Sequence, residues 1–280
     1  MELQPDRWRF AYQHDGFLVV PGLLEPSLLA LLREGMDDIT GKLDGLESRL
    51  REKVFLERDH VRNNPQWYTG VLSAEQCGDS VRQIADLALF DPAFAAVLCY
   101  APLLDVLEAL FDSPEFSFSL LVGRPKPARV GNGISDGKFH RDAPTDAVTS
   151  PNTIIAILCL DDMGPANGGT AFIRGSHQVS DEEAVRPCWN EVDPEQFSPE
   201  QRVVVACPAG SGVLFSSKIL HAAGHNRSDV PRRTLVSEWA GPGVLPTSAQ
   251  RHAFQGIKPR SQDPAYQKQL LLTFPQRSFA

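Results

Sequence analysis

Beyond Pro114 the chain breaks into short β-like runs at 116–122, 153–160, 170–173, 202–207, 213–220 and 234–239, separated by glycine, proline and Asn-Gly. So many short strands can bury their apolar faces only by packing sheet on sheet, which points to a sandwich or jelly roll. The first 113 residues have a different texture. Residues 16–21 read as a strand ended by Pro21-Gly22, and the Leu28, Leu29, Leu31 and Leu32 stripe after Glu25-Pro26 predicts a helix running toward Ile39. Residues 43–58 are highly charged and predict a solvated helix, and apolar residues three and four apart over 80–111 predict more helix. The expected fold is mainly β with a helical N-terminal part, its helices packed against one side of the β core. A single domain is expected over 1–280, with a mainly helical lead at 1–113, a jelly-roll core at 114–245 and a C-terminal extension at 246–280.

Composition narrows the function classes. A hydrophobic share of 42% and a charged share of 22% are those of an ordinary globular chain. A net charge of −8 and a pI near 5.4, with no basic stripe, disfavour a nucleic-acid partner. Cys77, Cys99, Cys159, Cys188 and Cys207 are scattered without a C-x-x-C pair, as expected of reduced thiols in a cytoplasmic protein. The N-terminus lacks the apolar run of a signal peptide, and no later stretch reads as a membrane span, so no membrane partner is expected. No pattern specifies an oligomeric state. The acidic stretch 179–201 interrupts the strand series as a solvated loop or a lid.

Within Phe139-His140-Arg141-Asp142, a histidine and a carboxylate stand two apart, and on an extended strand they point to the same face. A third metal ligand must then come from His14, His60, His177, His221, His225 or His252. His221 stands out: it ends the run 213–220 and opens HAAGHNRSDVPRR, a polar turn leading to two adjacent arginines. In a jelly roll this turn is expected to place Arg232 on the strand beside the one carrying His221. Two imidazoles and one carboxylate leave open positions on a metal, the arrangement of non-haem iron(II) oxygenases. A 2-oxo dicarboxylic acid and oxygen can fill those positions, and the distal carboxylate of the acid calls for a planar two-donor partner, for which Arg232 is the choice.

With these residues in view, the chain resembles the phytanoyl-CoA dioxygenase family of iron and 2-oxoglutarate oxygenases. Asp15-Gly16-Phe17-Leu18-Val19-Val20-Pro21-Gly22-Leu23-Leu24 is similar to the family's opening strand and turn, and His140-Arg141-Asp142 to its proximal metal motif. Asn167-Gly168-Gly169-Thr170-Ala171-Phe172-Ile173-Arg174-Gly175-Ser176-His177 resembles its mid-barrel segment; His221 with Gly224, Asn226, Ser228 and Arg232 resembles its distal stretch. The four pieces span roughly residues 10 to 240 in order. The resemblance implies a double-stranded β-helix, Fe(II) held by His140, Asp142 and His221, 2-oxoglutarate held by Arg232, and O2 as the other cosubstrate. It also implies decarboxylation of 2-oxoglutarate to succinate coupled to oxidation of a substrate C–H bond, with hydroxylation as the default outcome and desaturation, cyclisation or endoperoxide formation as variants.

Two departures stand out. Arg174 replaces a frequent proline, and Ala223 replaces a frequent hydroxyl side chain that helps hold the cosubstrate. Asp142 disfavours halogenation, because halogenating relatives carry a small residue there. Other residues have milder readings. His177 is expected to cap backbone, His225 to be exposed in its turn, and Arg233 to point away from Arg232 toward the surface, serving as a fallback if the register slips. Lys126 fits equally a pair preceding the metal motif and a blunted edge strand. Trp67, Tyr68 and Trp239 are more readily core than pocket.

A small organic molecule is the expected substrate, and a specialised metabolite is favoured over an acyl-CoA, whose phosphates would have only Arg124, Lys126, Arg129 and Lys138 near the site. The competing classes are an acyl-CoA hydroxylase, a non-catalytic jelly-roll binding protein, and a cupin-type metal-dependent isomerase or hydrolase. The last lacks a clustered H-x-H with a following glutamate, and leaves Arg232 without a task.

Overall fold

A computed structural model describes residues 4–63, 73–128, 139–142, 152–180, 194–244, 252–261 and 263. Two antiparallel sheets face each other. The larger has seven strands in the order β1-β8-β5-β10-β4-β3-β2, and the smaller three in the order β7-β6-β9. Here β1 is Phe17–Val20, β2 Val54–Leu56, β3 Val81–Ile84, β4 Ser117–Lys126, β5 Thr153–Cys159, β6 Thr170–Ile173, β7 Arg202–Val204, β8 Gly212–Ser216, β9 His221–Ala223 and β10 Arg232–Ala240. The helices are α1 Pro5–Asp15, α2 Pro26–Gly41, α3 Ser48–Arg51, α4 Glu57–Asn63, α5 Ala74–Cys77, α6 Pro92–Ala96 and α7 Ala101–Phe111. This is the jelly roll expected, flanked by helices.

Strand alternation divides the apolar residues between two cores. Leu214, Leu158, Ala156, Leu235 and Trp239 face the helices, where they join Leu32 and Met36 of α2 and Leu103 and Leu107 of α7. Phe215, Ile155, Ile157, Cys159 and Phe172 face the other way and pack between the sheets. Trp239 belongs wholly to the first core: it is fully buried, meets Phe116 and Phe118 edge-on at 5.7 and 5.3 Å, and its indole N–H donates to Ser237 Oγ. Trp67 and Tyr68 lie outside the described residues.

The lead is less helical than expected. The charged stretch 43–58 contains only short helical turns and then β2, and 80–111 begins with β3 before helix resumes. Strands this brief satisfy a three-residue apolar spacing, Val81 to Ile84, as well as a helix turn does, and only pairing across chain segments separates the two. Because β1, β2 and β3 complete the large sheet, the lead and the jelly roll share one sheet. The stretch Pro92–Phe111 is long and apolar enough to cross a membrane by length and composition, contrary to the sequence reading. Its residues Phe94, Val97, Leu98, Leu103 and Leu107 are fully buried in the helix-side core.

Gly16 ties the lead to the barrel. It ends α1 in the left-handed region at φ 84°, and a Cβ there would lie 2.5 Å from His177 Nδ1 and 2.8 Å from Ile219 Cδ1. Gly16→Ala is therefore expected to destabilise the fold by about 1–3 kcal/mol, lowering the thermal midpoint by several degrees, with no change in chemistry per folded molecule.

Candidate metal centre

His221 does not end the preceding strand, as expected from sequence; β8 stops at Ser216, the chain crosses between sheets, and His221 opens β9 of the small sheet. There it pairs antiparallel with His140: each residue's N–H donates to the other's carbonyl, at 3.0 and 3.1 Å. Asp142 N–H donates to the Ser217 carbonyl at 3.0 Å, which turns its side chain the same way as that of His140. The ligand atoms of His140, Asp142 and His221 all lie within 4.8 Å of one another. His140 Nε2 is 3.7 Å from Asp142 Oδ1, His221 Nε2 is 3.5 Å from Oδ2, and the two rings are 4.4 Å apart. These separations exceed ordinary hydrogen-bond lengths, so the three donors surround a common point instead of bonding to one another.

The protonation of His221 suits that reading. Its Nδ1 donates to the Ile219 carbonyl at 3.2 Å, leaving the lone pair on Nε2, the nitrogen facing Asp142. Burial holds the imidazole down to about 4, with His140 pushing the same way against the pull of Asp142, so the ring is neutral at neutral pH. Phe215 and Phe172 back the ring at 4.8 and 6.1 Å. Two imidazoles and a carboxyl side chain on one face form a fitting donor set for Fe(II), with room left for further ligands.

Arg232 opens β10, which lies between β5 and β4 in the large sheet, not beside β9 as the sequence suggested. It reaches the small sheet across the barrel. Its Nε donates to the Asn167 carbonyl and its Nη2 to the Gly168 carbonyl, both at 3.0 Å, just before β6, and β6 pairs with β9. Lys126 stands directly opposite Arg232 in register, is buried, and donates to the Gly224 carbonyl at 2.5 Å. Two cations facing each other across a strand pair repel, and a bound dicarboxylate would offset that. β4 is an interior strand, so the edge-strand reading of Lys126 fails.

Other sequence readings resolve as follows. His177 Nε2 contacts the Gln13 carbonyl at 3.1 Å, a structural tie as expected. His225 is half-buried, not exposed, because its turn closes on Gly168, where a Cβ would come within 3.0 Å of the His225 carbonyl carbon. Arg233 points away from Arg232 and pairs with both Asp161 oxygens and with Asp37, joining β10 to α2. Arg174 sits 3.0 Å from Asp15, so the turn without proline is held by an ion pair. Arg129, Lys138 and most of the acidic stretch lie outside the described residues. Cys159 and Cys207 approach to 3.7 Å between their sulfurs without a bond.

One site residue went unnoticed in the sequence. Thr170 lies directly across the β6–β9 pair from Ala223, as Phe172 lies across from His221, so its hydroxyl projects on the face that carries His221. The face that lacks a hydroxyl at position 223 therefore carries one at Thr170 on the neighbouring strand. The signal available was the Thr in Asn167-Gly168-Gly169-Thr170, which carries that meaning only once the register is known.

Comparison with known proteins agrees with this geometry. The family model described as phytanoyl-CoA dioxygenase (PhyH) matches residues 12–234. The chain is 25% identical over 235 residues to a protein of Aspergillus aculeatus named dioxygenase aneA, covering 80% of this chain and 68% of that one. Among solved structures, AviO1 from Streptomyces viridochromogenes Tue57 superposes with a TM-score of 0.67 at 20% identity, covering 88% of this chain and 99% of that one. The epimerase SnoN, solved with Fe3+, alpha ketoglutarate and nogalamycin RO, superposes with a TM-score of 0.61 at 19% identity, covering 90% and 94%.

Proposed function

The chain belongs to the phytanoyl-CoA dioxygenase family and is an oxygenase of the iron- and 2-oxoglutarate-dependent type; from that premise we propose that it hydroxylates an unactivated C–H bond of a small organic substrate, a specialised metabolite in preference to an acyl-CoA. The observation that carries the reading is the convergence of His140, Asp142 and His221 on one point, with Arg232 inside the same barrel. His140, Asp142 and His221 would hold the iron, which would supply oxygen activation coupled to conversion of 2-oxoglutarate to succinate and carbon dioxide. The protein's own residues bind and orient. His221 is fixed in one tautomer by Ile219, Arg232 offers its planar fork to the distal carboxylate, and Phe215 and Phe172 exclude water from one side of the site.

Asp142 places a carboxylate where a halogenating site needs a vacancy, which favours oxygenation. The preference against acyl-CoA rests on the cations near the site. Lys126 is turned into the barrel against Gly224, so it does not offer a surface patch to CoA phosphates. The epimerase SnoN is from nogalamycin biosynthesis, which agrees with a tailoring role and with outcomes other than hydroxylation on this fold.

Purified protein supplied with Fe(II), ascorbate and 2-oxoglutarate is expected to release succinate, and more of it when a panel of small metabolites includes a substrate, whose product gains one oxygen by mass spectrometry. Failure both to bind 2-oxoglutarate and to make succinate with any compound would sink the proposal. Thr170→Val is expected to raise the 2-oxoglutarate requirement about three- to tenfold while leaving kcat near the parent's, the effect of one neutral hydrogen bond. An unchanged requirement would mean that Thr170 does not replace the missing hydroxyl.

A further inference from the structure

The wall of the barrel carries a second polar pair that the metal centre does not use. In β4, Gly123 faces the helices, since a Cβ there would meet Met36 Cε at 2.8 Å and Leu87 Cδ2 at 3.4 Å. Its neighbour Arg124 must therefore face the barrel interior. In β10, Glu238 pairs with Ile155 of β5, and Val236 pairs with Ile157; both isoleucines belong to the core between the sheets, so Glu238 also faces inward. Across the β4–β10 pair, Arg124 stands opposite Thr234 and Glu238 opposite Leu120. Glu238 also shares its rung with Phe215, through Ile155, and Phe215 is the ring that packs on His221.

Among the described residues, neither the Arg124 guanidinium nor the Glu238 carboxyl makes a hydrogen bond or ion pair; the nearby Glu57 is engaged by Arg82 at 3.1 Å. Arg124 is exposed by accessible surface, yet burial lowers it to about 10, with Arg82 adding to that and Asp142 and Glu57 opposing it. On the inward face of β4 that accessible surface is open to a small molecule entering the barrel. Glu238 is half-buried, and burial together with the charge of Asp142 pushes its carboxyl up to about 7. Glu238 shares the rung of Phe215, the ring that packs on His221, and Arg124 lies two positions from Lys126 on the inward face of β4, so both line the barrel that holds the candidate metal ligands.

The cosubstrate does not account for the pair. Arg232 and Lys126 already face its distal end, and Glu238 lies six residues from Arg232 on β10, about 20 Å along the strand. Inward-facing charged groups that the described residues leave without a hydrogen bond or ion pair are costly, and a ligand that satisfies them is an ordinary reason for their retention.

We infer that Arg124 and Glu238 are the two polar anchors of the substrate cavity, and that the substrate is a small organic acid whose carboxylate seats on Arg124 while a hydroxyl or amino group donates to Glu238. A guanidinium fork matches a carboxylate in two parallel hydrogen bonds, and a carboxyl group opposite an apolar wall selects a donor. Arg124 and Thr234 sit one rung pair, and Leu120 and Glu238 another, four residues along the same strands, so the acid and the donor lie at separated points of one molecule.

This inference rests on the oxygenase reading, and the test keeps the two apart. The protein with Fe(II) is first given 2-oxoglutarate without oxygen, and the metal-to-ligand charge-transfer absorption is recorded; its absence overturns the oxygenase reading. A panel of hydroxy- and amino-substituted aliphatic and aromatic acids, each paired with its methyl ester, is then scored for succinate release. Acids are expected to stimulate release and their esters not to. Arg124→Leu should raise the KM of a stimulating acid at least thirtyfold, Arg124→Lys should restore part of the loss and so exclude misfolding, and the KM for 2-oxoglutarate should stay within about threefold in both. Glu238→Gln should keep the preference for acids but lose that for the hydroxy or amino group. Esters as effective as acids, an intact 2-oxoglutarate complex that no acid of the panel stimulates, or an Arg124→Leu defect confined to 2-oxoglutarate would each overturn the assignment.

Discussion

His221→Ala, and separately His140→Ala, should reduce iron-dependent succinate release to the level of protein without added iron, a loss of more than about a hundredfold. Even outer partners of metal ligands cost about 10–100-fold when removed, and these two side chains stand where the ligands themselves would be. The fold should survive. β9 is held by backbone pairing to β6, and His140 meets His221 through main-chain hydrogen bonds that alanine retains. Removing the imidazole of His221 leaves a gap beside Phe215 and Phe172, which costs some stability without removing a strand. Three measurements distinguish a lost ligand from a lost fold: bound iron per chain, far-ultraviolet circular dichroism and succinate release. A variant with native dichroism, diminished iron and no turnover fits the assignment. Native iron content with full turnover in either variant would refute it.

The three residues that converge were legible because their signal is local. His140 and Asp142 share a face by a two-residue alternation that needs no tertiary information, and His221 lies in a patterned turn with Arg232 eleven positions later. Their surroundings were less legible. β9 is three residues long and follows β8 after a brief crossing, so in sequence the two merge into one apolar run and His221 reads as the end of the wrong strand. β2 and β3 are hidden for a related reason, since their few apolar residues also suit a helix and only the pairing of Val54 with Ile84 and of Ile84 with Gly123 decides.

Placements that depend on register were not legible, even where a residue such as Arg124 was already named near the site. Thr170 faces Ala223 because the two are cross-strand partners 53 positions apart in sequence, and Arg124 and Glu238 share one face of the sheet because β4 and β10 are neighbours. Sequence spacing cannot supply a register between distant strands. The same limit explains Arg232: its candidacy was readable from motif, its place on a strand of the opposite sheet from His221 was not.

Arg232→Ala should raise the 2-oxoglutarate requirement about a hundred- to a thousandfold, with a smaller effect on kcat at saturating cosubstrate. Truncating one side of a buried, hydrogen-bonded charge pair costs about 2–5 kcal/mol, which corresponds to roughly 30- to several-thousandfold in affinity. A stability loss will accompany it, because the Asn167 and Gly168 carbonyls each lose a donor at 3.0 Å. Arg232→Lys separates the two effects: it keeps the charge but not the planar fork, so its 2-oxoglutarate requirement should fall between parent and alanine variant while part of the stability returns. Lys126, directly opposite, sets how severe the alanine variant can be. If it shares the distal carboxylate, Arg232→Ala will keep residual binding that Lys126→Met removes in the double variant, and the two changes will be non-additive. If Arg232 acts alone, Lys126→Met will leave the 2-oxoglutarate requirement unaltered and lower only stability, through the lost bond to the Gly224 carbonyl. A 2-oxoglutarate requirement unchanged by Arg232→Ala would remove the arginine from the cosubstrate site, and the juxtaposition of two cations across β4 and β10 would then lack a ligand to explain it.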